Sequence, residues 1–565
     1  MAAVEGAELK QVSLAFHPAR QVDEAPSVPH DSRWYAIALY GLFFTGYFAL
    51  GAVLNIRYNV IDGDGLARVA NAGYVTMSRS PHLSAIGFVW NPLPSLVEIP
   101  LVPLSHFWPV VKTHGLAGVA QSAMFMAASA LLIRRIALDR GVGTLWTWIA
   151  LGCFVLHPMV VLNAGYGLSE AATLFAALWC IRRLLLWVDT RRPSDLAWVG
   201  IALAIGYLSR YEILVAVVGV AALVIVVAYR GSKGRGRRSN ALLSMLIVVF
   251  PSAVTFAVWA IAGWIITGDM FAQFSSIYGN ASQVSVAHER SGDTMFTTGN
   301  WRLILALLLA MQPLAGIAIA VAVISAVRHR TAAPIVPLAV LGPMLAFTVW
   351  GQLSGSTFNL FRYYMPAIPL VIVVALVLRA PSWSVEGSDH GSLPGKRLAA
   401  AMLCASLVIG IPLTFRSMFS NELGLHQQLR GFTSLFDGPG GDPAQFRQVG
   451  LDDRLVAAYL DRLNLPEATV LMDTFTSWLI WLASSRPRQF VVTSDYDFDW
   501  ALNQPADYGI RYIVVNTPSA SAANAIQIRY PSIWEDGAGI GTLVYAVNGP
   551  TGHPRWRVFE IHGGA

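Results

Sequence analysis

Apolar residues in this chain gather in long unbroken runs, not in the short alternating or three-and-four spacings of a water-soluble core. Runs close to the ~20 residues that cross ~30 Å of hydrocarbon fall at 34–54, 116–133, 144–163, 169–188, 194–209, 211–229, 241–267, 301–326, 333–352, 363–380 and 397–419. They predict about eleven membrane spans. Ser209, Arg210, Tyr211 and Glu212 interrupt a tract over 193–230 that is too long for one crossing, and so divide it. The stretch 91–111 is also apolar and of spanning length. Pro92, Pro94, Pro100, Pro103 and Pro109 would break its helical hydrogen bonds, and Glu98 and His106 lie within it. It is expected as a loop on, or dipping into, the membrane surface.

Past residue 420 the pattern changes. Gly, Asp and Pro rise, and short runs at 468–473, 488–495, 512–516, 542–547 and 557–562 read as strands. Amphipathic stretches at 476–484 and 521–530 read as helices between them. Strand alternating with helix predicts a small α/β domain. The fold class expected is therefore a polytopic α-helical membrane protein with a C-terminal α/β domain.

Composition agrees: of 565 residues, 55% are hydrophobic and only 13% charged, which excludes an ordinary soluble protein. The net charge of +6 does not point to nucleic acid, because much of the Lys and Arg sits in short connectors such as RGSKGRGRR at 230–238. With 91–111 excluded as a span, the basic clusters fall in alternate loops. They run from Arg134, Arg135 and Arg140, through 182–192 and 230–238, to Arg328, Arg330, Arg379, Lys396 and Arg397. By the positive-inside rule these loops and residues 1–33 are cytoplasmic. A first outer loop, 55–115, and a C-terminal domain, 420–565, are then extracytoplasmic, flanking a transmembrane region over 34–419. Cys153, Cys180 and Cys404 lie in apolar runs and suit neither a disulfide framework nor a zinc site. Residues 1–33 are polar and lack a cleavable apolar core, so no cleaved signal peptide is expected and the first span directs insertion.

The ionisable groups on the outer side carry the candidate chemistry. Asp62 and Asp64 stand one residue apart just after the first span. In an extended loop, residues two apart point the same way, so both carboxylates can address one ligand. One can act as general base while the other orients the acceptor or binds a metal. An Asp-Gly turn opening the loop is the plainer reading. Arg68 and Arg79 suit an anionic headgroup, since a guanidinium fork matches phosphate oxygens, or they meet lipid phosphate at the interface. His82 follows them. Arg210 and Glu212 either take part in a site or pair to close a tight turn. Glu170 opens a span, where negative charge is favoured in any case. Arg362 and Tyr363 fit an interfacial anchor or a phosphate contact. The outer loop 268–300 adds Asp269 and His288. Trp90, Phe107 and Trp108 are expected to pack on lipid or on a prenyl chain.

On GDGLARVANA (63–72), SRSPHLSAIGFVWNPLP (78–94), NAGYGLSE (163–170), LSRYE (208–212) and FRYYMP (361–366), the chain resembles the GT-C class of integral-membrane glycosyltransferases. The likeness covers residues 34–380. It is greater to actinobacterial members than to the protein O-mannosyltransferases, whose first loop carries an adjacent Asp-Glu pair where this chain has Asp-Gly-Asp. The resemblance implies a polyprenyl-phosphate sugar as donor and transfer to a hydroxyl of a glycan, lipid or protein acceptor on the outer side of the cell membrane, commonly with inversion. It implies Asp64 first and Asp62 second as general base. Arg68, Arg210 and Arg362 are then candidates for the lipid-linked phosphate, and Glu170 and Tyr363 for the donor pocket. Arg79, His82, Glu212 and His288 remain as acceptor or loop candidates. A divalent cation, Mg²⁺ or Ca²⁺, suits paired carboxylates beside a phosphate; the sequence does not require one, and Asp62 and Asp64 are its ligands if one binds. The alternatives are a transporter or flippase for lipid-linked sugars and a non-catalytic envelope scaffold on the same fold. Transporters usually place charge at mid-membrane in repeated halves, and no internal repeat is evident here.

Overall fold

The computed structural model describes residues 33–232, 234–291, 298–380, 392–420, 423, 450–518, 524–549 and 552–563. Eight helices among them are long and apolar enough to cross a membrane: Arg33–Tyr58, Leu116–Asp139, Glu170–Thr190, Ile213–Gly231, Arg237–Thr267, Ile335–Leu353, Phe361–Arg379 and Pro394–Ser417. Two bent pairs bring the number to ten if each is one span. These are Thr144–Val155 with Pro158–Ala164, bent by 61°, and Trp301–Met311 with Ala315–His329, bent by 80°. Each bend has a local cause: Pro158 opens the second helix of the first pair, and Gln312, extended at φ −154°, precedes Pro313 in the other. The remaining predicted span corresponds to Pro193–Tyr207, a helix of 15 residues packed between Glu170–Thr190 and Arg237–Thr267. The protein is a multi-pass membrane protein.

Helix α1 (Arg33–Tyr58) leads directly into α2 (Gly63–Met77), which lies in the first loop. The proline-rich stretch after it forms three short helices, Leu93–Glu98, Val102–His106 and Val110–Thr113, folded against α2. Prolines sit at the first turns of the first two, where no N–H is needed. Phe107 and Trp108 project from this layer, 79% and 62% exposed.

The C-terminal domain is a five-stranded sheet of order β2-β1-β3-β5-β4. Its strands are β1 (Val470–Met472), β2 (Phe490–Val491), β3 (Tyr512–Asn516), β4 (Gly541–Asn548) and β5 (Pro554–Ile561). β1 pairs in parallel with both β2 and β3, and β5 runs antiparallel to β3 and β4. The predicted strand over 488–495 shortens to two residues because Pro487–Gln489 forms a 3₁₀ turn. Alternate residues serve opposite faces. Leu471, Ile513, Val515 and Phe559 pack on one side. Met472, Val514 and Val558 pack on the other, together with Trp481, Tyr74 and Val69. The second core therefore joins the domain to α2, with Tyr74 edge-on to Trp481 at 4.8 Å between ring centres.

Candidate active site

The first turn of α2 sets the site. Asp62 is not part of an extended loop, as its sequence suggested, but the N-cap of α2: one side-chain oxygen accepts from the Asp64 N–H (2.9 Å) and the Gly65 N–H (3.4 Å). Asp is a preferred cap because it satisfies helix N–H groups that have no partner in the helix. Gly65 presses on the turn 163–170, so closely that a Cβ there would stand 2.2 Å from the Tyr166 carbonyl oxygen. Gly167 in that turn has φ +73° and leans on Gly118, a backbone conformation glycine adopts without strain. The docking of these glycines brings Asp64 beside Glu170, the first residue of Glu170–Thr190.

Arg362, on the 3₁₀ turn Phe361–Tyr364, closes the cluster. Its Nη1 lies 3.4 Å from Asp62 Oδ2 and its Nε 3.0 Å from Glu170 Oε1, while Nη2 donates to Asp64 Oδ2. Arg210 reaches the same Glu170 oxygen at 2.9 Å and holds Glu212 with a two-pronged grip at 2.5 and 2.6 Å. The Tyr363 ring lies against both guanidinium groups, 5.0 Å from Arg210 and 5.9 Å from Arg362. Arg68 differs. It stacks over Trp90 at 4.7 Å and donates to the Asn91 carbonyl at 3.3 Å, but it makes no ion pair among the described residues, and its Nε has no hydrogen-bond partner.

These groups surround a cavity of about 310 Å³, lined by Asp62, Asp64, Arg68, Glu170, Arg210, Arg362 and Tyr363 together with Trp90, Asn91, Ser169, Gln273, Asn280 and Gln283. The three carboxylates on Arg362 are not equivalent: the side chain of Asp64 is 46% exposed, against 6% for Asp62 and 7% for Glu170. Burial alone would raise the pKa of Asp64, but Arg362, with Arg68 and Arg210 beyond it, holds the carboxyl below its ordinary value. Behind Arg68, Glu98 is fully buried with both carboxyl oxygens unpartnered. Burial pushes its pKa well above the usual carboxylate range despite Arg68 nearby.

Asp62, Asp64, Arg68, Glu170, Arg210, Glu212, Arg362 and Tyr363 thus come together. Arg79 and His82 do not line the cavity. Arg79 pairs with Asp497 and, at 3.4 Å, with Asp495; His82 stacks on Tyr496 at 4.2 Å. Both contacts fasten the first loop to the C-terminal domain. His288 belongs to the helix Asn280–Ser291, and its side chain lies outside the described residues. Trp90 packs on Arg68 and lines the cavity. A divalent cation does not fit the donor set, because Arg362 already occupies the point on which the carboxylates converge. Among the described residues no group of three or more His, Cys, Asp or Glu is placed to hold a metal ion. Sequence reasoning missed Asn91, Gln273, Asn280 and Gln283, neutral amides with no spacing to mark them.

The chain is similar to the crystal structure of ArnT from Cupriavidus metallidurans bound to undecaprenyl phosphate, with a TM-score of 0.50 and 13% identity over 94% of this chain and 98% of that one. It is also similar to the archaeal oligosaccharyltransferase AglB from Archaeoglobus fulgidus, in complex with an inhibitory peptide and a dolichol-phosphate. There the TM-score is 0.45 and the identity 12%, over 93% of this chain and 74% of that one. No protein-family model and no curated protein sequence matches. At such identities the likeness is one of fold. The fold is GT-C-like.

Proposed function

We propose that the protein transfers a sugar from a polyprenyl-phosphate donor to an acceptor hydroxyl, at the membrane face that bears the first loop and the C-terminal domain. The distribution of basic loops argues that this face is extracytoplasmic. The observation that carries the reading is the division of labour around Arg362. Asp62 is spent on the helix cap and Glu170 is locked between two guanidinium groups, whereas Asp64 is ionised, anchored by one oxygen and open to the cavity.

Asp64 accepts the proton of the acceptor hydroxyl as its oxygen attacks the anomeric carbon. A bond forms between that oxygen and carbon, and the bond from the anomeric carbon to the phosphate oxygen breaks. Polyprenyl phosphate leaves with the electron pair. Arg68, which makes no ion pair among the described residues, meets the charge that develops on the leaving phosphate, with Arg210 next to it. Asp64 then gives its proton to water. Undecaprenyl phosphate, held by the structurally similar ArnT, is the kind of leaving group this reaction releases. Trp90 keeps the Arg68 fork oriented, and the membrane itself concentrates the donor.

The test is binding of farnesyl monophosphate, a short polyprenyl phosphate, to the purified protein. A hydrogen bond to a charged group is worth about 1.5–3 kcal/mol, so Arg68→Gln is expected to raise the Kd about 10- to 100-fold. A wild-type protein that does not bind this lipid would overturn the proposal.

A further inference from the structure

At the end of the bundle away from the cavity the arginines fall into two sets. Helix Glu170–Thr190 has 21 residues, about 30 Å of rise, so its last turn stands a membrane's thickness from Glu170. Around that end Asp139, Asp189 and Asp195 are all taken. Asp139 holds Arg135 at 3.1 Å and Arg182 at 2.6 Å, Asp189 holds Arg140 at 3.1 Å, and Asp195 holds Arg183 at 3.1 Å. The second set is Arg191, Arg192, Arg230, Arg235, Arg237 and Arg238, and none of them makes an ion pair among the described residues.

Two turns bring this second set to one corner. Arg191 Nη1 donates to the Val227 carbonyl at 3.5 Å, and a Cβ on Gly231 would stand 3.9 Å from the Arg191 guanidinium carbon. Turn 190–193 therefore lies against turn 230–238. Arg237 Nε donates to the Ser232 carbonyl at 2.7 Å and keeps the second turn closed. Arg191 also has φ +57°, the left-handed backbone that glycine adopts without strain, so a side chain is held there at a backbone cost.

The surroundings say what meets the corner. Arg192, Arg230, Arg235, Arg237 and Arg238 are exposed. Just inside them along helix Arg237–Thr267, Leu242, Leu243 and Leu246 are exposed as well, as is Val226 on Ile213–Gly231. Both helices are long and apolar enough to span a membrane, so these side chains face hydrocarbon. Between the two zones Arg237 lies over the exposed ring of Tyr229 at 5.3 Å, and such rings sit at headgroup depth. The guanidinium groups thus stand where lipid phosphates lie, with surface for acyl chains beside them. A guanidinium fork matches phosphate oxygens. No described carboxylate of the corner is left over to receive the ammonium of a zwitterionic lipid, so the charge calls for a headgroup that is net negative.

We infer that this corner is a binding site for an anionic phospholipid of the leaflet opposite the cavity, its phosphate held between turns 190–193 and 230–238. The site stands apart from the cavity and does not rest on the chemistry assigned there.

The experiment titrates the purified full chain in a neutral detergent with phosphatidylglycerol and with phosphatidylcholine of the same acyl chains, and follows bound lipid by native mass spectrometry. Wild type is expected to bind phosphatidylglycerol at least tenfold tighter. A guanidinium beside anionic lipid is worth about fivefold in affinity, so Arg192→Gln with Arg238→Gln is expected to weaken phosphatidylglycerol about 25-fold. Neither side chain is hydrogen-bonded among the described residues. Affinity for phosphatidylcholine should stay within twofold, which also shows that the variant folds. Lys396→Gln with Arg397→Gln removes the same charge from helix Ser392–Ala405, which packs on Thr144–Val155 and Ala367–Arg379. That pair is expected to change phosphatidylglycerol binding less than twofold. Equal affinity of wild type for the two lipids, or an equal loss in both double variants, would overturn the inference. Displacement of the lipid by equimolar glycerophosphoglycerol, the headgroup without acyl chains, would also overturn it and assign the corner to a soluble anion.

Discussion

Asp62 and Asp64 both touch Arg362, yet replacing them should have very different consequences. Asn at position 64 keeps an oxygen for Arg362 Nη2 and nearly the same volume, but it cannot take a proton. Loss of a positioned general base costs about 10²–10⁴ in rate, or about 2.7–5.4 kcal/mol of barrier at 1.36 kcal/mol per factor of ten. Donor affinity should hold or improve slightly, because one negative charge leaves the neighbourhood of the phosphate. Asn at position 62 is nearly as good a helix cap as Asp, so the bonds to the Asp64 and Gly65 N–H groups survive. What Asp62→Asn loses is the longer contact to Arg362, 3.4 Å, in a side chain only 6% exposed and closed to an acceptor. Less than a tenfold fall in kcat is expected. The assay reconstitutes wild type and both variants in liposomes with a polyprenyl-phosphate sugar labelled in the sugar, and compares initial rates at saturating donor. If Asp62→Asn falls as far as Asp64→Asn, or further, the division of labour around Arg362 is wrong.

Three further outcomes are expected. Arg362→Gln leaves three carboxylates without their guanidinium; removing a partner from a buried ionic cluster costs about 3–5 kcal/mol, which a drop in the thermal midpoint in detergent would register. Lys112, whose ammonium is buried against Trp481 and donates to the Ser484 carbonyl at 2.8 Å, has its pKa lowered to about 8 by burial, partly opposed by Asp461. A depressed lysine contributes stability that is full above its unfolded value of ~10.4 and lost as pH falls through about 8. Wild type should therefore lose thermal stability relative to Lys112→Met between pH 10 and 7.5; a parallel pair of curves would refute this. Asp453 is raised to about 7 by burial, with Arg555 opposing and Asp452 reinforcing. Its contribution is full below ~3.9 and lost as pH rises through about 7, so Asp453→Asn should gain on wild type from pH 5 to 8 in the same measurement.

Hydropathy made the membrane spans legible, because a run of apolar side chains has one physical solution in a bilayer. Short apolar runs set between Gly-, Asp- and Pro-containing stretches made the C-terminal strands legible in the same way, though not their order: pairing β1 between β2 and β3 depends on contacts the local pattern does not encode. DGDG read as an extended turn and instead caps a helix, since the free N–H groups of Asp64 and Gly65 find Asp62 and the glycines allow close docking on the turn 163–170. Arg79 and His82 carried the right chemistry for a site but found partners at Asp495, Asp497 and Tyr496, more than 400 positions away in sequence. The meeting of Arg362 with Asp62 and Asp64, across about 300 positions, was legible only as shared geography, through loop charge. The amides of residues 271–283 carried no signal, because a neutral amide is ordinary until a cavity forms beside it.

The most direct measurement uses a polyprenyl-phosphate sugar carrying one label in the sugar and another in the phosphate, with the wild-type protein in sealed vesicles. Glycosyl transfer at the cavity of Asp64 and Arg68 requires one equivalent of free polyprenyl phosphate for each sugar joined to an acceptor. Passage of both labels across the bilayer on an intact lipid, with neither separated from the other, would contradict it.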